Sequence, residues 1–80
     1  MVYQLEICAN SIESAIAAEK GGADRIELCA NLGEGGTTPS YGQIKWCMEN
    51  LGLEVWPLIR PRGGDFLYTD TEFECILEDI

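Results

Sequence analysis

Three segments of the chain have the apolar and polar alternation or the continuous apolarity of β-strands, and each leads through a loop into a segment with helical periodicity. The strand-like segments are residues 3–9, 24–30 and 53–61. In the first, Leu5 and Ile7 share one face while Glu6 and Cys8 share the other. The third is almost entirely apolar, which predicts a parallel strand covered on both faces.

The helical segments begin after residues that favour helix N-termini and end near glycine or at residue 80. We expect the first helix over residues 12–20, the second to about residue 50, and the third up to residue 80. In the second, apolar residues recur at the spacing of a buried face. They are Ile44, Cys47, Met48 and Leu51. The predicted start signals are Asn10 with Glu13, Thr38 with Pro39, and Thr69 with Glu72.

The order β-α-β-α-β-α predicts an α/β fold built from parallel βαβ units. A three-stranded parallel sheet has two bare edges, which natural proteins avoid. We therefore expect residues 1–80 to be the N-terminal part of a single, incomplete domain, about three of eight units if that domain is a barrel.

Composition narrows the function classes. The 80 residues carry 14 acidic and 5 basic side chains, a net charge of −9, which argues against nucleic acid or an anionic membrane as partner. No apolar stretch is long enough to span a membrane, and residues 1–6 do not resemble a signal peptide. A cytoplasmic location is the default expectation. The four cysteines then stay reduced, and their wide spacing does not fit a structural zinc site.

Chemistry in such folds collects at the carboxyl ends of the strands, where two thiols occupy matching positions. Cys8 and Cys29 each follow a glutamate by two residues. Neighbouring strands lie about 4.8 Å apart, so both sulfurs could point into one mouth. Two thiolates without histidine suit Cu(I) better than magnesium or calcium. The alternative is that each thiol fills apolar space. We assign no function to Cys47 or Cys75.

Two carboxylates share the face of these thiols, and they leave two interpretations open. Glu6 and Glu27 would repel each other if buried together, so they need a cation or a shared proton. Arg60 could supply the charge. In a functional site, one glutamate would act as acid or base while Arg60 grips an anion. In a structural site, the same groups would form a network that fixes strand register.

The segment 60–65, Arg-Pro-Arg-Gly-Gly-Asp, is a candidate anion-binding loop. Backbone amides at Gly63 and Gly64 could form a nest beside Arg60 and Arg62. The spacing matches neither a P-loop nor a dinucleotide fingerprint. A tight turn with solvated arginines is the alternative.

Four motifs together resemble the CutC copper homeostasis family over essentially the whole chain. They are LEIC at 5–8, GADRIELC at 22–29, EGGTTPS at 34–40, and IRPRGGDF at 59–66 with Tyr68. The resemblance implies a TIM-type (β/α)8 barrel, cytoplasmic in bacteria, that is linked to copper tolerance and proposed to bind Cu(I). It points to Cys8 and Cys29 as the copper ligands. Members of that family continue through further strands, and no reaction is firmly attached to them.

Three hypotheses follow from these residues. The first is a copper homeostasis protein that binds Cu(I) through Cys8 and Cys29. The second is an enzyme that acts on a small anionic metabolite, in which Arg60 and Arg62 bind the anion and Glu6 or Glu27 moves a proton. The third is an inactive, truncated fragment. Each hypothesis leaves open whether the protein forms a homo-oligomer.

Overall fold

The computed structural model describes residues 2–80 as three parallel strands with a helix after each. The elements are β1 (Glu6–Ala9), α1 (Ile12–Lys20), β2 (Arg25–Leu28), a 3-10 helix (Leu32–Glu34), α2 (Tyr41–Asn50), β3 (Glu54–Pro57) and α3 (Asp70–Asp79). The sheet order is β1-β2-β3, and both pairings are parallel. The predicted α/β class and element order are confirmed.

One face of the sheet carries the core because its apolar residues align across the strands. Ile7 is the register partner of Ile26, and Ile26 is that of Val55. Helices α1 and α2 pack on this face, and small side chains let α1 approach closely. The buried residues of this core are Ala9, Ala15, Ala18, Ile26, Leu28 and Cys47.

The opposite face of the sheet has no helix on it within residues 2–80, and we call it the open face. It carries Glu6 and Cys8 from β1, Arg25 and Glu27 from β2, and Glu54 and Trp56 from β3. Trp56 is 53% exposed. The expectation that β3 is covered on both faces is therefore wrong for this chain, because its helices pack on one face.

The first helix spans residues 12–20 as predicted, but two predicted N-caps are corrected by one or two residues. The N-cap of α1 is Ser11, whose hydroxyl accepts from the amide of Ser14 in a capping box. Asn10 and Glu13 lie one residue too early for that role. The segment Asn-Ser-Ile-Glu-Ser offers both registers, and the structure uses the serine pair.

The N-cap of α2 is Ser40, which accepts from the amide of Gln43, so the helix begins at Tyr41 rather than at Pro39. The hydroxyl of Thr38 has another role: it accepts from the amide of Arg60 at 2.8 Å and donates to its carbonyl at 3.1 Å. A side chain that bridges two loops in this way does not cap a helix.

The predicted face of α2 is partly correct. Cys47 is buried, and Ile44 and Leu51 pack at the edge of the core. Met48 is 64% exposed, so its assignment to the buried stripe is wrong. Helix α2 packs against α1 and β3, and Met48 lies on the flank that no described element covers.

Helix α3 begins as predicted, with Thr69 and Glu72 forming a reciprocal capping box. It buries no residue, and its apolar Phe73 and Leu77 are each more than half exposed. Within residues 2–80, no helix is both long enough and apolar enough to cross a membrane.

Candidate metal and anion site at the strand ends

The thiols of Cys8 and Cys29 lie together at the carboxyl ends of β1 and β2. Their sulfurs are 3.5 Å apart, although the residues are on different strands and 21 positions apart in sequence. Cys8 is exposed, whereas Cys29 is 1% exposed. One thiol of the pair is therefore accessible to solvent, and the other is not.

Strand register explains how the two sulfurs meet. Cys8 is the register partner of Glu27, and Cys29 lies two residues further along the neighbouring strand on the same face. The amide of Cys29 donates to the carbonyl of Ala9 at 2.9 Å, which continues the ladder just past the end of β2. The two side chains then contact each other diagonally across the strand pair.

The loop between β2 and α2 buries Cys29. Ala30 and Thr37 exchange backbone hydrogen bonds, which folds residues 31–36 back over the strand end. Gly36 has a φ of 96°, and a Cβ placed there would lie 3.0 Å from Leu58 and 3.9 Å from the sulfur of Cys29. The close approach requires glycine, and it closes this side of the thiol to water.

Burial alters the acid–base chemistry of Cys29. The pKa of Cys29 is raised to about 11. The largest cause is desolvation by burial, followed by the hydrogen bond and charge of Cys8 and then by the charge of Glu27. At neutral pH this thiol is protonated in the metal-free protein. A thiophilic cation must displace that proton in order to bind.

The predicted carboxylates have different surroundings. Glu6 forms an ion pair with Arg25, which also donates to the amide oxygen of Gln4 at 3.2 Å. The guanidinium of Arg25 lies 4.3 Å from the centre of the Trp56 ring. Among the described residues Glu27 has no hydrogen-bond partner, and it is half-buried beside the thiols.

Arg25 was not among the residues predicted to act at the site, yet it is the one that pairs with Glu6. Arg60 had been the expected counter-charge. Arg25 lies on the same strand face as Glu27, two residues before it, and is the register partner of Glu6. The alternation of polar and apolar residues along β2 was therefore enough to predict that Arg25 could pair with Glu6.

Arg60 ties two loops together through backbone carbonyls. One terminal nitrogen donates to the carbonyls of Glu34 at 2.6 Å and Gly36 at 2.7 Å, and the other donates to Gly64 at 2.9 Å. The guanidinium also lies 5.0 Å from the ring centre of Phe66. Arg60 thus holds the loop over Cys29 against the loop that follows β3.

Arg62 is held by the segment that leads into α3. It forms ion pairs with Glu72 and Asp65 and donates to the carbonyls of Gly63, Asp65 and Leu67. The guanidinium holds the pKa of the Glu72 carboxyl below its usual range, mainly through their hydrogen bond. An anion at this loop would compete with several existing acceptors.

Within residues 2–80, no group of three or more histidine, cysteine, aspartate or glutamate side chains is arranged to hold a metal ion. The dithiol remains as a two-ligand arrangement. Cu(I) is a soft cation that thiolates select, and it accepts few ligands. The chemistry of the pair therefore fits Cu(I) as a cargo ion, with Glu27 as a nearby negative charge.

Comparisons with known proteins agree on one family. The family model described as the CutC family matches residues 3–80. A CutC family protein of Bacteroides thetaiotaomicron is 57% identical over 79 residues, which are 98% of this chain and 32% of that protein. A human protein named copper homeostasis protein cutC homolog is 54% identical over 78 residues, which are 98% of this chain and 29% of that protein.

The fold agrees as well. The crystal structure of a CutC protein from Streptococcus agalactiae superposes with a TM-score of 0.88 at 43% identity, covering 98% of this chain and 39% of that one. This chain thus spans about a third of the length of the relatives it matches.

Proposed function

Because this chain belongs to the CutC family, we propose that it serves copper homeostasis by binding one Cu(I) ion between the sulfurs of Cys8 and Cys29. The observation that carries the proposal is the 3.5 Å contact between these two thiols. Two thiolates on adjacent strands supply the soft ligands that Cu(I) prefers. Copper is the cargo here, and the cytoplasm is the proposed location.

The role of each residue follows from its position. Exposed Cys8 meets the incoming ion first, and buried Cys29 completes the pair after losing its proton. Glu27 contributes negative charge beside the cation. Arg60 keeps the loop closed over Cys29, which limits water at the sulfur.

A Cu(I) titration against a strong competing chelator tests the proposal. Four-ligand zinc sites bind with about 10–16 kcal/mol, or roughly 3 kcal/mol per ligand, so we expect each of Cys8→Ser and Cys29→Ser to weaken Cu(I) on the order of 100-fold. Cys75→Ser is the matched control, because Cys75 is an exposed thiol on α3. Unchanged affinity in the double serine variant would refute the assignment.

The enzyme hypothesis stays a prediction, with Arg60, Arg62, Gly63 and Gly64 as anion ligands and Glu6 or Glu27 as acid or base. Of the two glutamates, Glu27 is the better candidate because Glu6 is already paired with Arg25. The hypothesis that the 80-residue chain is an inactive, truncated fragment also remains open, as does the proposal of a homo-oligomer.

A further inference from the structure

We propose that Cys8 and Cys29 are a reversible thiol-oxidation site, in which a hydroperoxide oxidises Cys8 and Cys29 then closes a disulfide with it. The inference goes beyond copper binding and does not depend on it. It rests on the sulfur contact of 3.5 Å and on the unequal exposure of the two thiols.

Exposure decides which sulfur reacts first. Cys8 is exposed on the open face, so a small hydroperoxide reaches it. Cys29 is 1% exposed beneath the loop that contains Gly36. A hydroperoxide therefore cannot reach the sulfur of Cys29 unless that loop moves, and susceptibility of a cysteine to oxidation follows its exposure. Cys8 is therefore the site of oxidation and Cys29 the resolving thiol.

The chemistry balances with a hydroperoxide as the oxidant. The sulfur of Cys8 attacks the terminal peroxide oxygen, the O–O bond breaks, and an alcohol or water leaves as Cys8 becomes a sulfenic acid. The sulfur of Cys29 then attacks the sulfur of Cys8. An S–S bond forms, the S–OH bond breaks, and the hydroxide leaves as water with the proton from Cys29.

Strand register makes the product labile. Cys29 lies two residues beyond the register partner of Cys8, and a stagger of that size places the Cα atoms roughly 8 Å apart. Disulfides usually span about 4.4–6.8 Å between Cα atoms, so closure requires the chain at Cys29 to move. Strained disulfides are readily reduced, which suits a reversible modification rather than a structural bond.

The test is treatment of the chain carrying Cys75→Ser with hydrogen peroxide, followed by alkylation, trypsin digestion and mass spectrometry. Trypsin cuts after Lys20, Arg25 and Lys45, which separates Cys8 and Cys29 into two peptides. We expect these peptides to appear cross-linked and two hydrogens lighter than their sum, and to separate after reduction with glutathione. In the same digest, the peptide that contains buried Cys47 should be recovered largely unalkylated, which reports that the fold stayed intact during the treatment.

Single variants separate the two roles. In Cys29→Ser, Cys8 should accumulate as a sulfenic acid that dimedone traps. In Cys8→Ser, oxidation of Cys29 should fall by about tenfold or more, because Cys29 is 1% exposed and the exposed thiol that reacts first is gone. Progress of Cys8 to sulfinic acid without a cross-link would overturn the proposal, as would equal oxidation of Cys29 with and without Cys8.

Discussion

Cys29 combines three properties that determine the chemistry of the strand ends: contact with Cys8, burial beneath the Gly36 loop, and a raised pKa. Each comes from a different part of the fold. Register supplies the contact, the loop supplies the burial, and burial with the neighbouring charges supplies the pKa. A cysteine elsewhere in the chain, such as Cys75 on α3, is exposed and lacks these neighbours.

The raised pKa of Cys29 predicts the pH dependence of copper binding. Since the thiol is protonated below about pH 11, binding must release that proton, and lower pH must weaken it. Between pH 6 and 8 we expect apparent Cu(I) affinity to rise at least about tenfold per pH unit. Chelator competition, corrected for titration of the chelator, measures this slope.

Cys29→Ser is the control for that slope. Its remaining Cu(I) affinity should depend less steeply on pH, because the Cys29 proton is no longer displaced. A wild-type affinity that does not change between pH 6 and 8 would show that Cys29 does not ligate the ion as a thiolate.

The loops at the strand ends are held by arginine side chains that bind backbone carbonyls. Arg60 joins the loop over Cys29 to the loop after β3, and Arg62 joins that second loop to α3. Guanidinium groups suit this task because their donors lie in a rigid plane and reach several acceptors at once.

Removing the Arg60 contacts should loosen the cover over Cys29. Hydrogen bonds to a charged donor contribute about 1.5–3 kcal/mol, so loss of one net bond in Arg60→Lys should accelerate Cys29 alkylation by roughly tenfold or more. Alkylation of Cys8, which is already exposed, should not change. Timed maleimide labelling with peptide mapping gives both rates. Equal Cys29 rates in the two proteins would mean that Arg60 does not hold this loop.

The attachment of α3 should depend on acid. Arg62 first, and then the amide of Thr69, lower the pKa of Glu72, so ionised Glu72 stabilises the docked helix. That stability is present above the ordinary glutamate pKa of about 4.3 and is lost as pH falls through the lowered value. The pKa of Asp65 is lowered too, first by the hydrogen bond from the amide of Leu67 and then by Arg62, so this carboxylate acts with the same sign.

Amide hydrogen exchange of residues 73–76, corrected for intrinsic rates, measures this effect between pH 5 and 3. Wild-type protection should decrease over that interval. Glu72→Gln keeps an oxygen for the capping box but has no charge to titrate, so its protection should start lower and change less. Identical profiles in the two proteins would exclude the Glu72 ion pair as the acid-sensitive contact.

At the scale of the whole molecule, the open face and α3 are the surfaces that residues 2–80 leave uncovered. Relatives are about three times longer, and the chain superposes on 39% of a CutC crystal structure. In a closed barrel, the open face would be the interior wall. The ion pair of Glu6 with Arg25 and the stacked Trp56 would then lie inside the barrel.

Trp56 offers a test of that placement. In a chain as long as the relatives, Trp56 should be less accessible to acrylamide than in the 80-residue chain, where it is 53% exposed. In a Trp46→Phe background, Trp56 is the one tryptophan left in residues 1–80, and any tryptophan in the added residues is likewise changed to phenylalanine. Equal quenching in both lengths would place Trp56 outside the barrel interior.

Periodicity predicted the elements and the meeting of Cys8 with Cys29, because strand alternation decides which side chains share a face. The same alternation was sufficient to predict the pairing of Glu6 with Arg25, but Arg60 was predicted to supply the counter-charge instead. The contacts of Arg60 could not be predicted in this way, since they depend on loop carbonyls and on positive φ angles at Gly36 and Gly64. Loop conformations of this kind have no period in sequence.

X-ray absorption at the copper edge of the Cu(I)-loaded protein tests the central claim most directly. The account predicts one copper per chain with two sulfur neighbours, and the loss of one sulfur in Cys29→Ser but not in Cys75→Ser. A first shell of nitrogen or oxygen, or a two-sulfur shell that persists in the double variant of Cys8 and Cys29, would contradict it.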